Sequence, residues 1–421
     1  MSTQRYPYRL DNAAKIFPGM LSRRRTTVFR LAATIDQPVN VRLLQAAYAA
    51  MLDRCPYYNV ELRRGLFWYY LETSNAVPRV EAESRYPCIY IPYRKRGVRP
   101  HRVVAYKDRI ALEISHLLTD GTGALAFLNG ILFEYLSRRG ESVSTDGLFL
   151  DPRAPIDERE YEDSFTTHYQ KGIPPAPRQS RALRFGGKAV KPPAFFFVEG
   201  TVANSDLKHL ATEKEVTIGE YLTALLIDTA LREMKERGLS PKPIRGSIPI
   251  NLRRFYRSQT MRNFVLAVEP GIDPRLGEFT FDDIIAKVHH FMRFELDHRF
   301  IRRQFARNIG SERNPFIRIV PVLLKDAILT CAYSVFGTGI FTIGFSNLGR
   351  VTLPEDMKPF VRDYTFIPPP HNNALNATSI SYDGRSHLIF ASTTENTRIE
   401  RRFFSTLRGA GIHVSIRTNR R

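Results

Sequence analysis

The chain has 421 residues, 43% hydrophobic and 25% charged, the balance of an ordinary globular protein. That length predicts two core-bearing lobes. The counts exclude a disordered chain and a membrane-spanning one, since no stretch approaches the roughly 18 apolar residues of a spanning helix. Lys and Arg number 62 against 42 Asp and Glu, a net charge of +20 that favours acidic partners: nucleic acid, anionic membrane, or a phosphorylated cofactor or acidic carrier protein.

The N-terminus, MSTQRYPYRL, carries no apolar run of the secretory kind. Cys55, Cys88 and Cys331 form no CxxC pair, which disfavours a disulfide framework and a cysteine-rich zinc site. A reducing cytoplasm is the expected compartment.

Residues 26–35 (TTVFRLAATI) are β-branched and predict a strand. Residues 41–54 place Leu44, Ala47, Tyr48 and Met51 at helical spacing, and Pro56 stops that helix. Residues 66–73 are aromatic and strand-like, and Trp68 among Phe67, Tyr69 and Tyr70 reads as core. Residues 101–106 and 109–115 predict two strands around a Lys107-Asp108 turn, followed by a helix over 122–138. From 140 to about 193 periodicity fades, and acidic, polar and Pro-rich pieces predict a long connection. The domains expected are an N-terminal lobe of residues 1–175, a Pro/Arg-rich linker of 176–193 and a C-terminal lobe of 194–421.

A strand over 194–202 opens the second lobe, with Ser205 and Asp206 offered as caps for a helix to about Lys214. Residues 217–237 predict a long helix ended by Gly238. Residues 244–250 read as a strand and 281–302 as one helix, whose Phe291, Phe294 and Phe300 alternate with arginines. Helical spacing accounts for that alternation without a nucleic-acid platform, and no zinc finger, RNP or KH motif accompanies it. Residues 340–345 read as a strand, 379–382 and 387–392 as a hairpin around Asp383-Gly384, 399–410 as a helix and 413–416 as a last strand. Strands and helices mix throughout, which predicts α/β or α+β layers.

The chemistry-bearing segment is Ser115-His116-Leu117-Leu118-Thr119-Asp120-Gly121, where a strand ends and a helix begins. Histidine titrates near neutrality, so at a cleft it can take a proton and return it. Asp120 can order the loop by pairing with a cation, and Gly121 frees the backbone at the turn. By itself H-x-x-x-D-G reads equally well as a structural histidine before an ordinary Asp-Gly turn. No GxSxG elbow supplies a serine nucleophile. His289, His290 and His298 lack a completing acidic or cysteine ligand, so no metal site is expected. His371 in PPPHNNALN reads as an exposed loop histidine.

SHLLTDGTGALAFLNGILFEYL resembles the HxxxDG active-site segment of the chloramphenicol acetyltransferase-like superfamily, which includes condensation domains, plant BAHD acyltransferases and wax ester synthases. IPINLRRFY (248–256) resembles its P-V-x-L-R strand end, and FSNLGRV (345–351) its SN-x-G segment. SYDGRSHLIFAS and ERRFFSTLRGAGI resemble its closing hairpin and helix, so the resemblance spans nearly the whole chain. The bacterial alcohol acetyltransferase-like branch matches best, because Ser115 stands where condensation domains and wax synthases carry a first histidine.

The resemblance implies a fold of two chloramphenicol acetyltransferase-like lobes, each a mixed sheet flanked by helices, with His116 in a tunnel between them. It implies an acyl-thioester-dependent O-acyltransferase with His116 as general base. Asp120 and Gly121 would be supports, with Arg253 (Arg254 next) as the partner of Asp120. Ser346 or Asn347 would contact substrate or the oxyanion, although Ser-Asn-Leu-Gly also reads as a plain turn. No tightly bound cofactor is implied; the donor would be acyl-CoA or the phosphopantetheine of an acidic acyl carrier protein. The acceptor would be an alcohol, lipid-like acceptors and a peripheral membrane location being compatible with the basic surface, and the family default is a monomer. The alternatives are an amide-forming condensation-type enzyme and a non-catalytic or nucleic-acid-binding protein using the basic surface.

Overall fold

A computed structural model of the chain describes residues 7–23, 26–177, 179–332, 339–370 and 375–420. Two mixed sheets organise them. Val28–Ile35, the β-branched run, lies inside the first sheet, antiparallel to Arg109–Ser115 on one side and to Val361–Ile367 on the other. Every residue of it but Thr34 is buried. Arg109–Ser115 then pairs with His101–Tyr106 across a turn in which Lys107 takes a φ of 50°, and Glu81–Ala82 adds a parallel edge. Val361–Ile367 comes late in the sequence yet completes this first sheet.

Helices Val41–Arg54 and Gly121–Arg139 pack on this sheet through Leu44, Tyr48, Met51, Phe127, Ile131 and Leu136. Both ends of these helices are set locally. The Asn40 side chain accepts from the Arg42 and Leu43 amides, and Gly140 closes the second helix in the left-handed region. The second sheet runs Val265–Val268, Ile244–Asn251, Ile343–Arg350, Leu375–Tyr382, Arg385–Ser392, Phe196–Ala203 and Ser415–Thr418. Ile343–Arg350 is parallel to both neighbours; the other pairs on this path are antiparallel. Ile218–Glu236, Phe281–Glu295 and Arg398–Gly409 bury Leu222, Leu226, Ile284, Val288, Phe403 and Phe404 against it.

One charged cluster pins the two sheets together. His387 of the second sheet lies with Nε2 2.7 Å from Asp363 Oδ1 of the first and Nδ1 2.8 Å from Glu199 Oε1. Burial alone would lower the His387 pKa; the hydrogen bonds and charges of the two carboxylates outweigh it and push it up to about 9.

The structure departs from the sequence expectations at several elements. Residues 281–302 are not one helix: Phe281–Glu295 ends, and His298–Arg313 restarts after Asp297 caps it by accepting from Arg299 N at 2.8 Å. His290 and His298 therefore sit on different helices. Ser205 and Asp206 do not cap theirs, because Phe196–Ala203 runs directly into Asn204–Glu213 and Asn204 N donates to Gly384 O of the neighbouring hairpin at 2.8 Å. The strand expected from residue 66 begins at Tyr69, since Gly65 N turns back to Trp68 O. Trp68 is half-buried, not core, with Lys325 Nζ 3.6 Å and Lys15 Nζ 5.8 Å from its ring. The strand read over 340–345 instead spans Ile343–Arg350 and contains the SNLG segment. His371 lies outside the described residues. No helix among those described is long and apolar enough to cross a membrane.

Candidate active site

The first five residues of the HxxxDG segment, His116 to Asp120, link Arg109–Ser115 to Gly121–Arg139, and its Gly121 opens the helix. Val28 opposite Ser115 is the last rung of the ladder before it. The Ser115 hydroxyl, fully buried, lies 2.6 Å from Thr27 Oγ1 and accepts from Leu117 N at 3.1 Å. Ser115 thus shapes the turn from within, at the place where the resemblance puts a first histidine in other branches.

His116 is held at its main chain from both sides. Its N–H donates to Thr27 O at 2.9 Å, and its carbonyl accepts from Asn263 Nδ2 at 2.8 Å. Its ring lies beside Phe29, with centroids 4.5 Å apart, and 6.0 Å from Phe17. Burial in these apolar surroundings lowers the imidazole pKa below 6.5, while the Asp120 charge, Asn263 and the Thr119 main chain oppose that shift. A neutral imidazole at physiological pH is the form that can accept a proton.

Asn263 ties His116 to a second buried acid. The same Nδ2 lies 3.0 Å from Asp11 Oδ2, while Asp11 Oδ1 accepts from Ala14 N at 2.8 Å. Burial raises the Asp11 pKa to about 7 against the opposing pull of Arg262.

Asp120 satisfies both its oxygens. Oδ1 accepts from the Thr122 and Gly123 amides, each at 3.1 Å, and so caps the helix. Oδ2 accepts from Arg253 Nη1 and Phe264 N, each at 2.8 Å. The Arg253 guanidinium also donates to Thr260 O at 2.8 Å, Arg262 O at 2.6 Å and Asn251 Oδ1 at 3.2 Å. Asn251 Nδ2 in turn donates to Thr122 Oγ1 at 3.2 Å. The pair therefore joins the start of the helix to the end of the Ile244–Asn251 strand. Asp120 turns its carboxylate into this scaffold.

The glycines permit close approach. A Cβ on Gly121 would lie 2.7 Å from Leu348 Cδ2. A Cβ on Gly123 would lie 2.3 Å from both Met261 O and Thr119 Oγ1. Thr119 and Tyr58 hydroxyls both donate to that Met261 carbonyl, at 2.5 and 2.6 Å.

The structure brings His116, Asp120, Gly121 and Arg253 together. The side chain by which the SNLG segment reaches this cluster is Leu348. Asn347 is exposed and uses its Oδ1 to accept from Gly349 N at 2.8 Å, where the strand bulges and Gly349 takes a φ of 73°. Ser346 is half-buried in register with Thr378. Sequence reading missed Leu348, Asn263, Asp11 and the ring neighbours Phe17 and Phe29. Only Leu348 had a sequence signal, its place inside SNLG.

A groove of about 550 Å³ lies between residues 87–95 and the Pro-rich stretch 189–195. Ile89, Tyr90, Val190 and Phe195 make its walls apolar, and Arg23 and Lys95 add cations. His116 does not line it; Thr26, next to the Thr27 that bonds His116, does.

Two mixed sheets and a strand that returns from one half to the other form a chloramphenicol acetyltransferase-like fold. No family model and no curated protein matches the sequence. Solved structures do match. The chain is similar to TRI101 of F. graminearum complexed with coenzyme A and deoxynivalenol, at 12% identity and a TM-score of 0.66, over 98% of this chain and 99% of that one. It is similar to polyketide synthase associated protein 5 from Mycobacterium tuberculosis, at 14% identity and a TM-score of 0.63, over 94% and 96% of the two chains. The first condensation domain of the CDA synthetase aligns at 12% identity and a TM-score of 0.58, over 96% and 95%. The likeness establishes that this chain has the fold shared by these proteins.

Proposed function

We propose that the protein is an acyl-thioester-dependent O-acyltransferase with His116 as its general base. The observation that carries this reading is the setting of His116: main chain fixed by Thr27 and Asn263, ring among Phe29 and Phe17, pKa lowered by burial. The neutral imidazole takes the proton of an acceptor hydroxyl as its oxygen attacks the thioester carbonyl carbon. The tetrahedral oxyanion collapses, the C–S bond breaks, and the imidazolium returns the proton to the departing thiolate. Ester and free thiol are the products, and no covalent enzyme intermediate is required.

Asp120 and Arg253 act as the scaffold that fixes the loop, and Gly121 admits Leu348. The acyl donor is acyl-CoA or the phosphopantetheine of an acidic carrier protein. The groove lined by Arg23, Lys95 and apolar side chains suits a thin arm ending in phosphates. Ser346 and Asn347 are proposed to contact substrate from the strand that carries Leu348. Complexes of TRI101 with coenzyme A and small-molecule acceptors support a CoA donor and an alcohol acceptor.

The test is free-thiol release from a panel of acyl-CoAs with and without alcohols. Release that requires an alcohol and falls about 10²–10⁴-fold in His116→Ala is expected. Release that requires an amine instead would identify a condensation-type enzyme. Release that survives His116→Ala refutes the base assignment.

A further inference from the structure

The segment after His298–Arg313 is built inside out. Val322–Ala332 follows the short turn Pro315–Arg318. Its charged residues face the protein: Lys325 is buried, donates to Phe67 O at 2.8 Å and lies over Trp68, while Asp326 accepts from Tyr69 OH at 2.6 Å. Burial lowers the Lys325 pKa. Leu323 and Leu324 face outward. Phe316, Ile319, Leu323, Leu324 and Ile328 are 58–79% exposed, and Leu66, also in that range, joins them because Val322 N donates to its carbonyl. Large apolar side chains scattered singly on a surface are ordinary; six drawn from one short segment and the turn it bonds to are not. An amphipathic helix against a protein turns its charges to water. Here Lys325 and Asp326 face the protein and the apolar side is the outward one.

We propose that this surface docks on an anionic lipid membrane, its apolar side chains entering the interfacial layer. Charge complementarity selects the membrane as occupant. Arg318 is exposed on the same segment, Arg299, Arg307 and Arg313 on the helix before it, and the whole chain carries +20. Shallow insertion of apolar residues flanked by cations is the recurring pattern of such contacts.

The position of this surface is also significant. Asp326 backs onto Gly19, where a Cβ would lie 3.0 Å from its Oδ1, and Phe17 of the same turn lies 6.0 Å from the His116 ring. A single short turn, Phe17–Met20, separates the docking helix from His116. Under the acyltransferase reading, a substrate with an alkyl chain would reach His116 from the bilayer; the docking itself does not depend on that reading.

Trp68 is the only tryptophan and lies beneath this surface, so the wild-type protein reports its own docking. The experiment is co-sedimentation and tryptophan quenching with vesicles of phosphatidylglycerol and brominated phosphatidylcholine in equal parts, against phosphatidylcholine alone. Binding and quenching on the anionic vesicles are expected. Leu323→Glu/Leu324→Glu is expected to weaken binding at least ~10-fold, and Arg313→Glu/Arg318→Glu to weaken it and flatten its salt dependence. Both variants are expected to keep the wild-type unfolding temperature and thiol release from water-soluble substrates. Wild-type protein that stays in the supernatant at low salt overturns the proposal. So does binding indifferent to the leucine pair, or a wild-type dimer that this variant converts to monomer, which would assign the surface to a second copy. Thiol release is scored separately, so an inactive protein that docks overturns only the enzymatic reading.

Discussion

Removing the Asp120 carboxylate should unfold the loop before it alters any chemistry. Its side chain and that of Arg253 are 2% and 4% exposed, and its two oxygens accept four hydrogen bonds. Asp120→Ala loses a helix cap, about 1 kcal/mol. It also leaves a buried guanidinium without its counter-charge, about 3–5 kcal/mol. Arg253 keeps its carbonyl and Asn251 acceptors, which favours the lower end, so a loss of about 4 kcal/mol is expected from a typical total of about 5–15 kcal/mol. Asp120→Asn retains an oxygen for the cap and should lose about 2 kcal/mol. Pairing Asp120→Ala with Arg253→Met should recover part of the single losses, with a coupling of about 2 kcal/mol. Urea unfolding of the four proteins gives that coupling, and thiol release by the folded fraction gives the chemistry. Additivity within about 0.5 kcal/mol would refute the pairing. A folded Asp120→Asn as inactive as His116→Ala would refute the purely structural role.

The remaining predictions concern the same site and the inter-sheet cluster. The proposed base, His116, works only when neutral, and burial holds its pKa below 6.5, so kcat/KM should rise with pH along an acid limb centred below 6.5 and be flat above neutrality; a limb centred above 6.5 contradicts that environment. Gly123→Ala forces a Cβ onto a main-chain carbonyl and should destabilise by about 3 kcal/mol, whereas Gly121→Ala meets only the flexible end of Leu348 and should lose about 1 kcal/mol, relieved in a Leu348→Ala background. Equal losses from the two glycines, measured by urea unfolding, would contradict the packing described. His387 is raised to about 9 in the fold, so its stabilising contribution is complete below about 6.5 and is lost as pH rises toward 9. A decline of about 3 kcal/mol across that window, flattened in His387→Asn, should appear in thermal melts at stepped pH; an identical pH profile for the two proteins would remove the His387 contribution.

The sequence alone determined the elements whose instructions are local. The hairpin at Asp383-Gly384, the helices Val41–Arg54 and Gly121–Arg139, and the capped helix after Thr217 are specified by turn residues, caps and apolar spacing within a few positions. The resemblance of short motifs to a known family, and not local spacing, pointed to Arg253 as the partner of Asp120 beside His116 and Gly121. The break at Leu296-Asp297 escaped because apolar residues keep helical spacing across it. What only the tertiary structure decided depends on contacts between distant positions. Asn263 reaches His116 across 147 residues, Leu348 reaches Gly121, and Val361–Ile367 returns to Val28–Ile35. Periodicity is blind to such pairs, since each partner's own neighbourhood looks ordinary. The outward turn of Leu323 and Leu324 is the clearest case: spacing does not say which side of a helix faces in, and Lys325, seated over Trp68, decides it.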